Sequence, residues 1–260
     1  MKALVTGAGG TVGGALCARL RAQGIEPVGW DRGRAMPGDF DAARALFDAA
    51  APDVVFNLAM PSRPTGVDNE GWIVNEKWTG DIGRIAAERG VAMVHASTVM
   101  VWTNRAVGPF TPDSPPPDET EGYGHSKLMS EHAARSANPD ARVVRLGWQI
   151  GEGPGGNNMV DNLERQMAEK GEVAASTRWM PATSFLPDTA DALIEAWRRP
   201  PGTYLIDSNT RWNFHEIVMA LNRLHGGRWN VRATEDFTYD QRMTDGRLAV
   251  ATLDRRLELP

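Results

Sequence analysis

Short apolar runs alternate with amphipathic stretches along the first 146 residues of the chain. Glycine, proline and polar residues bound the runs, as they bound β-strands, and the stretches between them carry apolar residues at helical spacing. Strands are predicted at residues 3–5, 26–30, 52–59, 91–96 and 142–146, and helices at 41–50, 71–89 and 121–137. This alternation predicts right-handed crossovers and an α/β fold with a doubly wound parallel sheet of the Rossmann type.

The pattern changes after residue 148. Residues 151–156 form a second glycine-rich loop, but they lack the G-K-[ST] sequence of a phosphate-binding loop and are interpreted as a plain connector. Helices are predicted at 158–170, 188–198 and 213–224, with a short strand at 203–206. We therefore expect a dinucleotide-binding domain over 1–147, rejoined by 185–208, and a smaller substrate-binding lobe over 148–260.

Five prolines lie between residues 108 and 118. Because proline fixes φ and lacks a backbone N–H, this segment can be neither a helix nor a central strand. We interpret it as a stiff loop over the edge of the sheet and a candidate wall of a substrate cleft.

The charge and cysteine content narrow the possible partners. A net charge of −5 and a pI near 5.6 leave no basic footprint for nucleic acid or anionic lipid. The single cysteine, Cys17, cannot form an intrachain disulfide, which fits a reducing compartment. The first strand leaves no room for a signal peptide, and no apolar run approaches the roughly 18 residues of a membrane helix. We expect a cytoplasmic protein without nucleic-acid or membrane partners.

The turn after the first strand has the sequence T-G-A-G-G-T-V-G and leads into a helix, the context that a dinucleotide-binding loop requires. Gly7 permits the turn, Gly10 lets the backbone approach a pyrophosphate, and Gly13 lets the helix lie against the strand. The free N–H groups and the dipole at the N-terminus of the helix then favour binding of the phosphates. The predicted cofactor-binding residues of this turn are Gly7, Gly9, Gly10, Thr11, Val12 and Gly13.

The end of the second strand bears on the choice of cofactor. Asp31 lies 18 positions beyond Gly13, near the distance at which a carboxylate meets the adenosine ribose 2′-hydroxyl of NAD. Arg32 and Arg34 instead suit the 2′-phosphate of NADP, so the cofactor is expected to be NAD or NADP; a solvated turn acid is the alternative for Asp31. Further residues expected beside the cofactor are Arg32, Asp39, Phe40, Asn57, Leu58, Ala59, Met60 and Asn75.

Tyr123 and Lys127 form a Y-x-x-x-K pair at the start of a predicted helix, which places both side chains on one face. A free phenol has a pKa of about 10, and a nearby ammonium lowers it. Tyr123 can then pass a proton to or from a substrate oxygen while hydride moves to or from a nicotinamide ring. Thr98, which ends the fourth strand, would hydrogen-bond to the same oxygen, with Ser97 as the alternative. The competing interpretation is an exposed pair without a function.

Motifs spread over most of the chain carry a resemblance to a known superfamily. Its T-G-x-x-G-x-x-G matches residues 6–13, P-D-V-x-x-N-x-A matches 52–59, and Y-G-x-[ST]-K matches 123–127. Residues 95–98 resemble H-x-S-T, and 156–158 resemble G-N-N. On these motifs the chain resembles the extended short-chain dehydrogenases/reductases of the NAD-dependent epimerase/dehydratase superfamily, most of all the dTDP-4-dehydrorhamnose reductases. The resemblance implies catalytic roles for Thr98, Tyr123 and Lys127, with the lysine also anchoring the ribose of NAD or NADP.

The departures from this resemblance fall on the substrate side. Val99 and Met100 stand where the reductases carry an aspartate and a tyrosine, and residues 178–184 differ from their D-Q-x-G-x-P-T. Dehydratases of the superfamily place an acid pair directly after the catalytic hydroxyl residue, so Val99 and Met100 argue against dehydration. We expect an oxidoreductase that reduces a keto group, or oxidises an alcohol, on a sugar or nucleotide-sugar.

Three alternatives remain open at this point. The same machinery suits a sugar-nucleotide 4-epimerase or an aldose/uronate dehydrogenase, and relatives of the reductases include non-catalytic regulatory subunits. The histidines show no zinc spacing, so no metal is expected. The superfamily implies a homodimer through the helices at 71–89 and 121–137. The predicted substrate-binding residues are Ser97, Thr98, Met100, Trp148, Asn157 and Trp179, with Trp102 as a further cleft candidate.

Overall fold

The computed structural model describes residues 1–61, 66–103, 106–116, 121–152 and 156–257. The strands are β1 (Lys2–Thr6), β2 (Glu26–Gly29), β3 (Val54–Asn57), β4 (Ala92–Thr98), β5 (Arg142–Leu146), β6 (Trp148–Ile150), β7 (Val173–Ser176), β8 (Trp179–Met180), β9 (Thr183–Phe185), β10 (Gly202–Ile206), β11 (Val231–Thr234) and β12 (Tyr239–Asp240). The helices are α1 (Thr11–Ala22), α2 (Phe40–Ala50), α3 (Glu70–Trp72), α4 (Trp78–Glu88), α5 (Gly122–Ala137), α6 (Met159–Lys170), α7 (Leu186–Trp197), α8 (Phe214–Leu224) and α9 (Leu253–Leu257).

Among the described residues, six parallel strands form the central sheet in the order β10-β5-β4-β3-β1-β2. β1 pairs with β2 on one side and with β3 on the other, so the winding of the chain reverses between β1 and β3. Ligands of open parallel sheets bind at the carboxyl ends of the strands beside such a reversal. The doubly wound parallel sheet predicted from the sequence is confirmed, and its topology directs attention to the ends of β1 and β3.

Helices cover both faces of the sheet, as its nearly continuous apolar strands require. On one face α1 packs against α7, and Leu16, Leu20 and Leu193 lie in one apolar cluster. On the other face α2 and α4 bury Phe47 and Ile82 in a second cluster, and α5 packs beside α4. The predicted helix over 71–89 is observed with an interruption, since a π-helical turn at Ile73–Lys77 separates α3 from α4.

The second half contains short strand pairs that the sequence did not indicate. β6 pairs with β9, β7 with β11 and β8 with β12, each as a two-stranded parallel sheet. Strands of two to four residues are too short to show an alternating pattern, which is why they were missed. β10 joins the central sheet and α7 packs on α1, while the division of the chain into two domains stays a prediction.

The described part of the proline-rich segment, residues 106–116, lies outside the helices and the central sheet. The amides of Gly108 and Phe110 donate to the carbonyls of Asp240 and Arg242, which fixes the segment against the chain after β12. Pro117 and Asp118 lie outside the described residues. None of the helices in the described ranges combines the length and apolarity needed to cross a bilayer.

Candidate active site

The glycine turn between β1 and α1 is tightly constrained by its neighbours. Gly7 has a φ of +67°, and a Cβ there would lie 3.2 Å from the Cα of Ala59. A Cβ on Gly13 would lie 2.0 Å from the Gly7 carbonyl oxygen. α1 has no side-chain cap and no acidic residue in its first turn, so its leading N–H groups are left for an anion. These features fit the diphosphate of a dinucleotide.

A buried threonine ties the glycine turn to the end of β3. Thr6 Oγ1 accepts hydrogen bonds from the amides of Leu58 and Ala59, both at 3.0 Å, and donates to Asn57 Oδ1 at 2.8 Å. Asn57 Nδ2 in turn donates to Thr79 Oγ1 at 3.0 Å. Asn57 is thus buried inside the fold and its polar atoms are engaged there, which differs from the expected place beside the cofactor.

The polar residues after β2 are engaged in local turns. Asp31 Oδ1 accepts from the Gly33 amide at 2.9 Å, and both Asp31 and Arg32 are exposed at the end of β2. Asp39 Oδ1 caps α2 by accepting from the Ala42 amide at 3.0 Å. Phe40 begins α2, and the Arg84 guanidinium lies 5.6 Å from its ring centroid. The structure therefore assigns Asp39 a helix-capping role that the sequence analysis did not anticipate.

Thr98 and Tyr123 meet at the carboxyl end of β4. Thr98 Oγ1 accepts from the Met100 amide at 3.1 Å, which begins the 3₁₀ turn at Val99–Val101 and leaves the hydroxyl hydrogen for another acceptor. Tyr123 lies close enough to Thr98 for the threonine hydroxyl to act on the pKa of the phenol. A Cβ on Gly124 would lie 1.9 Å from the Met100 carbonyl oxygen, so only glycine lets the first turn of α5 approach this closely.

The protonation states of the two predicted catalytic groups follow from burial. Although Tyr123 is 45% exposed, partial burial of its phenol raises the pKa above 10.0, and the nearby Thr98 hydroxyl offsets part of that rise. Lys127 is only 4% exposed, and burial lowers the pKa of its ammonium from 10.5 to about 8. The Thr98 hydroxyl acts to lower the pKa of the phenol, and the expected effect of Lys127 on the phenol stays a prediction. At neutral pH the site thus presents a protonated phenol and an ammonium.

Ser97 lies on the opposite face of β4 from Thr98, because side chains alternate along a strand. Its hydroxyl donates to Glu131 Oε1 at 2.5 Å, in a buried group that also contains Arg145. Ser97 therefore does not reach the cleft, and its predicted substrate-binding role is not supported by its position.

Asn75 lies on the π-helical turn and is buried. Its Nδ2 donates to Ser126 Oγ at 2.8 Å, next to Lys127 in sequence. Its Oδ1 is buried and makes no hydrogen bond within the described part of the chain. This contact ties the helix after β3 to the first turn of α5.

Aromatic side chains form the side of the cleft that belongs to the second half of the chain. The rings of Trp148 and Trp179 lie 5.9 Å apart at 22°, and Trp179 lies 4.7 Å from Phe214. They line a cavity of about 250 Å³ together with Phe237 and the amides of Asn162 and Gln166. Trp148 and Trp179 thus lie together beside this cavity, and their substrate-binding role stays a prediction.

Trp102 was predicted as a third cleft residue and lies in the core instead. It is 1% exposed, and its ring stacks on Phe110 at 4.3 Å and 5°. Its carbonyl accepts from Tyr239 Oη at 2.7 Å. Position near a strand end is not enough to expose a ring when another segment packs over it.

Two sets of contacts join the second half of the chain to the edge of the central sheet, one through Trp179 and the other through Asn157. Gln241 accepts from Trp179 Nε1 at 2.8 Å and donates to Met100 Sδ at 3.5 Å. The Asn157 amide donates to Thr11 Oγ1 at 2.9 Å. Sequence reasoning missed both Gln241 and Gly124. The glycine of the Y-G-x-S-K motif could have pointed to Gly124, whereas no sequence pattern around Gln241 indicates its contacts.

Similar proteins agree with the motifs and the sheet. The family described as RmlD substrate binding domain matches residues 1–216. The spore coat polysaccharide biosynthesis protein SpsK of Bacillus subtilis is 27% identical over 223 residues, covering 85% of this chain and 78% of that protein. The dTDP-4-dehydrorhamnose reductase of Mycolicibacterium smegmatis is 29% identical over 200 residues, covering 74% of this chain and 59% of that enzyme.

A solved structure shows the same fold. The dTDP-4-dehydrorhamnose reductase from Bacillus anthracis, crystallised in complex with NADP, superposes with a TM-score of 0.83 over 99% of this chain and 97% of that chain. At 17% identity this likeness establishes the fold alone. The resemblance inferred from the sequence motifs is confirmed by the family match, which covers most of the chain. The protein belongs to the RmlD substrate binding domain family.

Proposed function

We propose that this protein is an NAD(P)-dependent oxidoreductase of the extended short-chain type that reduces a keto group on a nucleotide-linked sugar. The observation that carries the proposal is the proximity of Thr98 and Tyr123 at the carboxyl edge of the sheet whose first turn is a glycine loop. The dTDP-4-dehydrorhamnose reductases among its relatives support the nucleotide-sugar substrate.

Tyr123 acts as the proton donor in this proposal. Its phenol is protonated at neutral pH, because burial raises its pKa, and it can therefore give a proton to the substrate oxygen when a keto group is reduced. Thr98 orients the substrate oxygen with its hydroxyl hydrogen, since the Met100 amide already occupies an oxygen lone pair. Lys127 holds the ribose and supplies positive charge beside the phenol. A bound nicotinamide cofactor supplies the hydride.

The residues predicted to hold the cofactor keep that role as a proposal. The group comprises Gly7, Gly9, Gly10, Thr11, Val12, Gly13, Asp31, Arg32, Phe40, Leu58, Ala59, Met60, Asn75, Tyr123 and Lys127. Both Asp31 and Arg32 are exposed at the end of β2, so either NAD or NADP suits this edge. Asp39 is left out of this group, because its carboxylate caps α2.

The substrate side is proposed to comprise Thr98, Met100, Trp148, Asn157 and Trp179. Aromatic faces pack well on sugar and base rings, and the cavity lined by Trp148 and Trp179 has amide groups for hydrogen bonding. Val99 is buried and Met100 follows it, so no acid stands next to Thr98 to expel a hydroxyl group. This supports plain reduction over dehydration.

A substrate panel tests the proposal. Free and nucleotide-linked keto-sugars are incubated with NADH and with NADPH, and the absorbance of the reduced nicotinamide is followed. Oxidation of the cofactor by a nucleotide-linked keto-sugar is expected. A changed sugar without net change in cofactor would indicate a 4-epimerase, and oxidation of a free aldose or uronate with NAD would indicate a dehydrogenase. Cofactor binding without turnover would indicate a regulatory subunit.

The packing of two helices on one face of the sheet bears on the assembly of the protein. α4 and α5 lie side by side on one face of the sheet, and we propose that they form the interface of a homodimer in the cytoplasm. A monomeric mass by light scattering would contradict the dimer.

A further inference from the structure

A buried ion pair between α5 and β5 lies next to the predicted catalytic residues of α5. Glu131 accepts from Arg145 Nε at 2.9 Å and from Arg145 Nη2 at 2.8 Å, and the two side chains are 2% and 6% exposed. Ser97 donates to the same carboxylate. Burying such a pair seldom stabilises a fold more than apolar residues would. Its presence next to the site therefore calls for a reason other than stability.

The spacing along α5 connects this pair to Lys127. Tyr123, Lys127 and Glu131 follow one another at intervals of four residues, so the phenol, ammonium and carboxylate share one helix face. Burial alone lowers the pKa of Lys127, and the charge of Glu131 acts against that fall. Without the carboxylate, Lys127 would lose its proton closer to neutral pH.

The other groups around Lys127 do not supply this negative charge. On β4, His95 stays neutral because burial lowers its pKa far below 6.5. On α4, Asp81 pairs with Lys77 at 2.8 Å. On α5 and β5 the arginines Arg135, Arg142 and Arg145 are positive and supply no negative charge. Glu131 is the one carboxylate that raises the pKa of Lys127 among the described residues.

The far end of the pair is held in place by aromatic rings. The Arg145 guanidinium lies 4.5 Å from the centroid of Trp102, whose ring stacks on Phe110. Arg145 is thus fixed between a carboxylate and a ring, which orients Glu131.

We propose that Glu131 is a positioning residue that keeps Lys127 in its ammonium form beside Tyr123, with Ser97 and Arg145 orienting the carboxylate. The effect of Glu131 on catalysis rests on the proposed function of Lys127. The effect of the Glu131 charge on the protonation of Lys127 does not depend on that function. Each side chain of the Glu131–Arg145 pair can be kept charged or replaced by a neutral one. The four resulting combinations should give Lys127 four different proton affinities.

The coupling is measured by NMR. Lysines occur only at positions 2, 77, 127 and 170, so protein isotopically labelled at the lysine Cε gives a simple spectrum in which Lys127→Arg assigns one signal. Glu131→Gln is expected to lower the titration midpoint of Lys127 by about one pH unit, and Arg145→Met to raise it by a smaller amount. The double variant E131Q/R145M falls between native protein and Glu131→Gln.

The double variant keeps the test available if a single variant fails to fold, since removing both charges is better tolerated than removing one. Asp191→Asn is the matched control, because it breaks an exposed two-hydrogen-bond pair with Arg19 and should leave the midpoint unchanged. Equal Lys127 midpoints in the native protein, in E131Q/R145M and in whichever single variants fold would overturn the proposal.

The alkaline limb of kcat/KM separates this inference from the proposed function. If Lys127 acts as proposed, the limb moves in the same order as the NMR midpoints. Shifted midpoints with an unmoved limb would support the role of Glu131 and contradict the role assigned to Lys127.

Discussion

The carboxyl edge of the central sheet and the aromatic surface around Trp148 and Trp179 hold their side chains in place by different means. At the sheet edge, Gly7, Gly13 and Gly124 bring backbone segments so close that an added Cβ would contact the neighbouring backbone. At the aromatic surface, Trp148 and Trp179 are held by ring contacts and by one amide, Gln241. Backbone contacts leave no room for adjustment, whereas rings can repack. In the proposed function, the chemistry therefore belongs to the rigid part and the choice of substrate to the adaptable part.

The largest effect is expected at the sheet edge, from Tyr123→Phe. Removing the proton donor should lower kcat by about a hundredfold to ten-thousandfold with cofactor affinity retained. Steady-state kinetics and cofactor titration check both halves of this expectation. Tyr204→Phe is the matched control, because that hydroxyl donates to the Pro200 carbonyl away from the cleft. Full activity of Tyr123→Phe would remove the basis of the proposed chemistry.

Gly13→Ala tests the rigidity of the same edge. Its Cβ would lie 2.0 Å from the Gly7 carbonyl oxygen, so α1 must move away from the turn. Cofactor affinity is expected to fall about tenfold or more, equivalent to about 1.4 kcal/mol. Gly14→Ala, where the nearest atom is 3.9 Å away, should bind the cofactor normally. Equal affinity of the two variants in a fluorescence titration would contradict the close packing.

Gln241→Leu tests the adaptable aromatic surface. It removes the acceptor for Trp179 Nε1, which costs about 1 kcal/mol when the indole finds no other partner. KM for the sugar substrate should rise about fivefold with kcat nearly unchanged, because the ring loses its orientation and the reacting groups do not. Gln23→Leu, at an exposed glutamine that accepts from Arg198, serves as the control. A loss confined to kcat would place Gln241 with the chemistry.

The smallest effect is expected from Asp39→Ala. Because Asp39 caps α2, its loss should lower the free energy of unfolding by about 1 kcal/mol without changing cofactor affinity. Asp39→Asn retains a capping oxygen and should be nearly as stable as the native protein. Denaturant unfolding and cofactor titration of both variants decide the point. Weaker cofactor binding by both would return Asp39 to the cofactor site.

Sequence reasoning recovered the central sheet and the main groups of the site. The helix after β3 was predicted without its π-helical turn, because a single inserted residue hardly changes helical periodicity. Ser97 and Trp102 were assigned to the cleft from their place at a strand end, but their side chains turn into the protein. Gln241 lies 141 residues from Met100, and no local pattern announces that contact.

The sequence by itself determined the order of strands and helices in the first half of the chain, the glycine turn and the spacing of Tyr123 and Lys127. These are local features, set by side-chain periodicity and by backbone conformations that few residues adopt. Only the tertiary structure decided which hydroxyl of the Ser97–Thr98 pair faces the cleft and which carboxylate faces Lys127. Those outcomes depend on the register of β4 against β5 and on the packing of α5, where residues far apart in the chain meet.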